Sequence, residues 1–292
     1  MSYVTADEIN FNTQLLYKID SIATNAIVKK ATPGCQILIA RSGKIFFNKS
    51  YGYHTYLKKN KVKNSDVYDL ASITKIGATL PVLMQMVDND SFDLYDKVGD
   101  YLDLDKTDKS ELVIREILAH QSTLMPWIPF YKQTLVEDSL SGLMKLRDTL
   151  YSNTESDKFS IKVAKDIYLH FSYPDSVMQQ IYTSELLKEK EYCYSDLGYY
   201  LFKQIIEKTY GETLDKLVDS EFYKGLGMEN LGYLPLNRIQ EDRIIPTEED
   251  FKFRSQLLKG YVHDMGAALQ GGVGGHAGLF SNANDLAKLM QM

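Results

Sequence analysis

Apolar residues recur at helical spacing from Ala6 to Lys30 (Ile9, Leu15, Leu16, Ile19, Ile22, Ala23, Ile27) and stop at Thr32-Pro33-Gly34, which predicts an N-terminal helix with a sharp end. The pattern then changes. Cys35 to Arg41 and Lys44 to Tyr51 are apolar-rich runs separated by Ser42-Gly43, the pattern of a β-hairpin, and a third strand is expected through Tyr53 to Tyr56. From Ser72 to about Lys208 the spacing is mostly helical, including Glu111 to His120, Thr183 to Lys190 and Asp196 to Lys208. Ile76, Leu80, Val82, Leu83, Met84, Met86 and Val87 make the stretch after Ser72 apolar all round, which predicts a buried helix. Pro81 falls inside it, lacks a backbone donor and should kink it.

Glycines punctuate the chain again at 225–232 and in Gly271-Gly-Val-Gly-Gly-His-Ala-Gly278. A last helix is expected to start at Asn282 as N-cap, with Asp285 in its first turn. This order leaves a sheet problem. Two or three N-terminal strands make a marginal sheet, and no strand run follows residue 270, so further residues or a cover over the edge are expected.

The length and apolar content allow one large domain or two closely packed ones. A net charge of −6 without a basic run excludes a nucleic-acid face, and Lys58 to Lys63 reads as a solvated turn. No apolar stretch reaches the roughly 18 to 20 residues that span a bilayer, and the N-terminus lacks the basic and apolar segments of a signal peptide. Cys35 and Cys193 suggest buried thiols more than a disulfide framework. The five histidines show no metal-ligand spacing, and the Gly-rich loop has no Gly-Lys-Ser/Thr, so neither a metal nor another cofactor is expected.

The candidate chemistry begins with Ser72 and Lys75 in Leu70-Ala-Ser-Ile-Thr-Lys75. Residues at i and i+3 share a helix face, so the amine can reach the hydroxyl, and the helix N-terminus favours negative charge developing on the serine oxygen. That is the arrangement of an activated nucleophile. A capping serine beside a solvated lysine has the same spacing. The second constellation is Tyr194-Ser195-Asp196, just before the helix from Leu197: a tyrosine beside a lysine can shuttle a proton, although among so many tyrosines Tyr194 also suits packing.

Together these segments resemble the serine β-lactamase and penicillin-binding protein superfamily, in its class C-like branch of β-lactamase-related hydrolases, D-amino-acid peptidases and esterases. Ala71-Ser-Ile-Thr-Lys75 matches the branch's first motif, and Phe92 to Leu102 is similar to the segment that follows it. Leu112 to Ser122 resembles its helix ending in a His-x-Ser turn, Tyr194-Ser195-Asp196 its Tyr-x-Asn motif, and Gly225-Leu-Gly-Met228 its Leu-Gly-Met turn. Val262 to Ser281 is similar to a subgroup often fused to glycoside hydrolase domains.

The resemblance implies an α+β fold: an antiparallel sheet flanked by helices, with a large mainly helical region inserted after the nucleophile helix. It divides the chain into an incomplete α/β sheet part (1–75 and 250–292) and a mainly helical part (76–249). The branch carries a third motif, Lys-Thr-Gly or His-x-Gly, on a strand near its C-terminus. His276-Ala-Gly278 is the only candidate here, and its place in the series matches an earlier loop. The true third motif and the closing strands are therefore expected beyond Met292, with the chain a piece of a longer protein.

Two further departures stand out. Asp196 replaces the usual Asn, and a carboxylate within about 4 to 6 Å of Lys75 would favour the ammonium form and shift proton transfer towards Tyr194. Thr123 replaces the usual glycine after the His-x-Ser turn, which should change that turn's backbone. The resemblance implies a serine hydrolase that forms an acyl-enzyme on Ser72, with Lys75 and Tyr194 moving the proton, Asp196 positioning Lys75, and a lactam, ester or D-amino-acid amide as substrate. It places the protein in the periplasm or cell envelope, working on a small molecule or a cell-wall peptide, with a fused glycoside hydrolase domain as possible neighbour. The alternative is a non-catalytic module that recognises cell-wall peptide or supports a neighbouring domain, with a relic site.

Overall fold

The expected hairpin forms in the computed structural model, which describes residues 1–104, 107–139 and 142–292. Gly34–Arg41 and Lys44–Gly52 pair antiparallel, and the two loop residues Ser42 (φ 50°) and Gly43 (φ 72°) both take the positive φ of the tight turn that matches strand twist. The third strand is not Tyr53 to Tyr56. Gly52 (φ 70°) turns the chain away, because a Cβ there would lie 2.3 Å from Pro33 O, and Tyr53 keeps only an isolated bridge to Lys61. Ser2–Tyr3 instead adds to the sheet, parallel to Lys44–Ile45.

The N-terminal helical pattern is realised in pieces. Short 3-10 turns at Asp7–Ile9 and Thr13–Leu15 precede the α-helix Leu16–Val28, with left-handed Asn10 between them and the Asn12 side chain accepting from Gln14 N–H. The α-helix packs on Lys44–Gly52, where Tyr51 Oη donates to Asp20 at 2.6 Å. The last helix, Ala283–Gln291, is capped by Asn282 as expected and packs on Gly34–Arg41, with Ala283 N–H donating to Gln36 Oε1.

Between these ends the chain is less uniformly helical than its periodicity suggests. Glu111 to His120 contains only one α-helical stretch, Ile114–Leu118, because Leu112 and Val113 are extended and Val113 bridges Lys97. Thr183 to Lys190 is not helical; the helix is Tyr173–Tyr182, started by Pro174, and the Ser184 carbonyl turns to meet the buried Lys109 ammonium. The Leu197–Tyr210 helix lies where expected. The helical region also carries small antiparallel pieces. Tyr151–Ser152, Ile167–Leu169 and Ile161–Ala164 form a three-stranded sheet, and Leu135–Glu137 pairs with Met144–Leu146. After residue 270 a two-residue strand, Phe280–Ser281, pairs with Tyr68–Asp69 and not with the hairpin. One large core runs from Val82 and Met86 through Ile114, Ile117, Phe130 and the Leu197–Tyr210 helix to Leu214.

The segment from Ala71 to Asp88 changes helix type twice: 3-10 at Ala71–Ile73, π at Lys75–Thr79, α at Leu80–Asp88. It is not apolar-buried all round, since Ile76, Met84 and Val87 face solvent while Ala78, Val82, Leu83 and Met86 are buried. Pro81 sits in the first turn of the α part, where it has no N–H to give to Gly77 four residues back. The buried Tyr223 hydroxyl donates to the Gly77 carbonyl instead, at 2.7 Å. Tyr223→Phe strands that carbonyl and should destabilise the protein by about 1 to 3 kcal/mol, read as a lower urea midpoint. An unchanged midpoint would show that Gly77 finds another donor.

Candidate active site

Ser72 is exposed and Lys75 is 3% exposed, one turn further along the same helical segment. Lys75 Nζ lies 3.1 Å from Ser72 Oγ and 2.6 Å from Asp196 Oδ1, and 3.4 Å from the His276 carbonyl oxygen. The ammonium also faces the rings of Tyr194 and Tyr199, at 4.9 and 5.3 Å from their centroids. The structure thus brings Ser72, Lys75, Tyr194 and Asp196 together, as the sequence predicted. Burial, with Tyr194 beside it, pushes the Tyr199 phenol up to about 12.

The backbone before Ser72 is constrained. Ala71 has a positive φ of 46°, and Asp69 fixes it: its carboxylate accepts from Ala71 N–H at 2.8 Å and from His263 N–H at 2.6 Å. Burial nevertheless pushes the Asp69 carboxyl above the ordinary range, against these two hydrogen bonds. His263 is itself held by the buried Asp250–Arg254 pair, for Arg254 donates to the carbonyls of Val262 and His263.

Tyr194-Ser195-Asp196 is held by the turn that follows Ile114–Leu118. Asp196 N–H donates to Pro126 O at 3.0 Å, Ser195 Oγ to Met125 O at 2.6 Å, and Cys193 N–H to His120 O at 2.8 Å. Ser195 N–H donates to His120 Nδ1 at 3.2 Å, and the His120 and Tyr194 rings lie 4.5 Å apart. Burial and the Lys75 charge hold the His120 imidazole below its ordinary range, with Asp196 opposing them. Thr123 sits where the backbone is left-handed. Its φ is 63°, although a β-branched side chain is strained there, and its hydroxyl donates to Ser122 O at 2.5 Å.

The Gly-rich loop lies along the other side of Lys75. Thr79 Oγ1 donates to Gly275 O at 2.7 Å, Leu279 N–H to Thr74 Oγ1, and Leu70 N–H to Leu279 O. Gly275 is required, because a Cβ there would lie 2.1 Å from Tyr199 O. The His276 side chain is buried, stacked on Tyr200, with Nε2 at 2.7 Å from Asp264 Oδ1. Burial alone would raise the Asp264 carboxyl, but His276 and the Ala267 N–H hold it far below the carboxylate range. Among the described residues His276 therefore offers Lys75 its carbonyl while its ring packs inward. Sequence reasoning did not find Asp69, Asp264 or Tyr199. The local signal for Asp264 is its place as N-cap of Met265–Ala268; the partners of Asp69 and Tyr199 are far away in the chain. Cys35 and Cys193 are free and half-buried.

An exposed serine within reach of a buried lysine, with a tyrosine ring against the ammonium, is an arrangement suited to an activated serine nucleophile. The Beta-lactamase family model matches residues 19–292, and the chain belongs to that family. It is 29% identical over 315 residues to the N-acetylmuramyl-L-alanine amidase of Bacillus subtilis (strain 168), covering 99% of this chain and 65% of the relative. It is 28% identical over 318 residues to a Salmonella typhimurium (strain LT2) protein with the provisional name D-alanyl-D-alanine carboxypeptidase, covering 100% of this chain and 67% of that protein. The chain thus spans about two thirds of the length of both relatives. The D-amino acid amidase of Ochrobactrum anthropi SV3 shares the fold, with a TM-score of 0.66 at 15% identity over 95% of this chain and 69% of that one. No helix among the described residues is long and apolar enough to cross a membrane.

The strain at Thr123 gives a stability test. A left-handed non-glycine residue costs about 1 to 2 kcal/mol, part of which glycine returns through the freer unfolded chain. Thr123→Gly should stabilise the protein by about 1 kcal/mol in urea unfolding. A destabilised variant would mean that the Thr123 hydroxyl and methyl hold the turn more than its backbone strains it.

Proposed function

We propose that the site performs acyl transfer to Ser72. The observation that carries this reading is the 3.1 Å contact between the exposed Ser72 hydroxyl and the buried Lys75 amine. Ser72 Oγ attacks a substrate carbonyl carbon, its proton passes to the Lys75–Tyr194 pair in its singly deprotonated form, and the same pair returns a proton to the departing amine or alkoxide. Water then hydrolyses the acyl ester and frees Ser72. The Ser72 N–H serves as one oxyanion donor. Asp196 positions the ammonium through their 2.6 Å ion pair.

The relatives' names favour amide bonds of cell-wall peptides, with the substrate set by the pocket and not by the shared chemistry. A location in the periplasm or cell envelope belongs to the same reading, and a fused glycoside hydrolase domain rests on the resemblance alone. The division into a sheet part (1–75, 250–292) and a helical part (76–249) remains part of this proposal, with Ser72 and Asp196 contributed from opposite sides of it.

Intact-mass measurement after treatment with a fluorophosphonate should show one adduct, lost in Ser72→Ala. No adduct with fluorophosphonates, reactive β-lactams or activated esters would leave the recognition module as the reading. Asp196→Asn removes the anion 2.6 Å from the ammonium and should slow fluorophosphonate acylation of Ser72 if that ion pair holds Lys75 in place. An unchanged acylation rate would show that Asp196 does not position Lys75.

A further inference from the structure

His120 occupies a backbone position that normally belongs to glycine. The Ile114–Leu118 helix ends with His120 N–H donating to Ile117 O at 3.0 Å and Gln121 N–H to Glu116 O at 2.7 Å, and His120 has a left-handed φ of 56°. Those two bonds and that φ form the glycine-type helix end in which a side chain is a cost. The side chain there nevertheless makes specific contacts. Nδ1 accepts the Ser195 N–H at 3.2 Å, the ring lies 4.5 Å from the Tyr194 ring, and the His120 carbonyl accepts the Cys193 N–H. One residue therefore grips the Tyr194–Asp196 turn at its start and at its middle.

We propose that His120 is the residue that positions Tyr194 and Asp196, and that it does so only as the neutral imidazole with its proton on Nε2. An imidazolium carries a hydrogen on both ring nitrogens, so Nδ1–H would face Ser195 N–H and the turn would lose that hydrogen bond. The charged groups facing the ring are the Lys75 ammonium, which opposes the imidazolium, and the Asp196 carboxylate, which favours it. Tyr192, Tyr194 and Tyr199 surround it with aromatic rings, and Glu116 on its own helix is engaged by Lys190. Burial adds to the Lys75 effect, so the imidazolium forms below the ordinary histidine range of about 6.5. As the pH falls through that point, the turn that carries Tyr194 and Asp196 loses its bond to the ring and loosens.

The kinetic part of this inference rests on acyl transfer at Ser72; the tautomer does not. Nitrogen NMR of the imidazoles at pH 8 should assign the His120 proton to Nε2, and a proton on Nδ1 would overturn the proposal. In fluorophosphonate acylation, the wild-type log rate should fall with slope 1 as the base is protonated, then steepen towards 2 as His120 titrates. His120→Asn keeps an acceptor at the Nδ1 position and suits the left-handed backbone. It should acylate several-fold more slowly at pH 8 and keep slope 1 at low pH. His120→Phe keeps a ring, removes the acceptor, and should lose at least tenfold at pH 8 and keep slope 1 at low pH.

Retained steepening in His120→Asn, or equal rates in the Asn and Phe variants, would refute the positioning role. Should His120→Phe fail to fold by circular dichroism, the tautomer and the His120→Asn profile decide. Absence of any Ser72 adduct in the wild type would refute acyl transfer instead, and the tautomer and the titration of the Ser195 amide signal would still test His120.

Discussion

A buried ammonium has three N–H bonds to place and is costly wherever one of them has no partner. Lys75 places its three on Ser72 Oγ, Asp196 Oδ1 and the His276 carbonyl, which belong to three segments far apart in the chain. The remaining architecture can be read as the means of holding these acceptors still. The π segment Lys75–Thr79 points the lysine inward, the His120 turn holds Asp196, and the Gly271–Gly278 loop lies close enough for its backbone to serve. Rings of Tyr194 and Tyr199 close the remaining faces. Removing Asp196 or shifting the loop would leave a buried charge without a partner, which is more damaging than losing a surface ion pair.

What was legible in the sequence is what is local. The Ser72–Lys75 spacing, the hairpin around Ser42-Gly43, the Leu197–Tyr210 helix and the Asn282 cap follow from short-range periodicity and turn chemistry. The order of segments added Tyr194 and Asp196. The failures have a common cause in tertiary contacts that override a local pattern. Gly52 ends the sheet because Pro33 is too near for a Cβ, and Leu112–Val113 stay extended because Val113 bridges Lys97. The strands between residues 135 and 169 are two to four residues long, too short to leave a period of two. The Asp264–His276 pair and the role of Asp69 exist only through packing.

Asp196 is the contact that ties the second segment to the buried lysine. An asparagine would offer Lys75 an oxygen of similar reach but no charge. The carboxylate makes the shortest contact to Lys75, at 2.6 Å. Tyr194 lies with its ring against that cation and half exposed. The ion pair is thus the scaffold of the site.

Backbone strain collects around the same point. Ala71, His120 and Thr123 all have left-handed backbones without being glycine, and each adjoins a segment that carries a functional side chain. Such residues persist only where surrounding bonds over-determine them. Asp69 holds Ala71, the helix end holds His120, and Leu187 N–H donating to the Thr123 carbonyl holds the last. Glycine at each would relax the strain locally. It would also free the backbone to leave the conformation that aims Ser72 outward and Asp196 inward, so rigidity near the buried ammonium explains why strained residues are tolerated here.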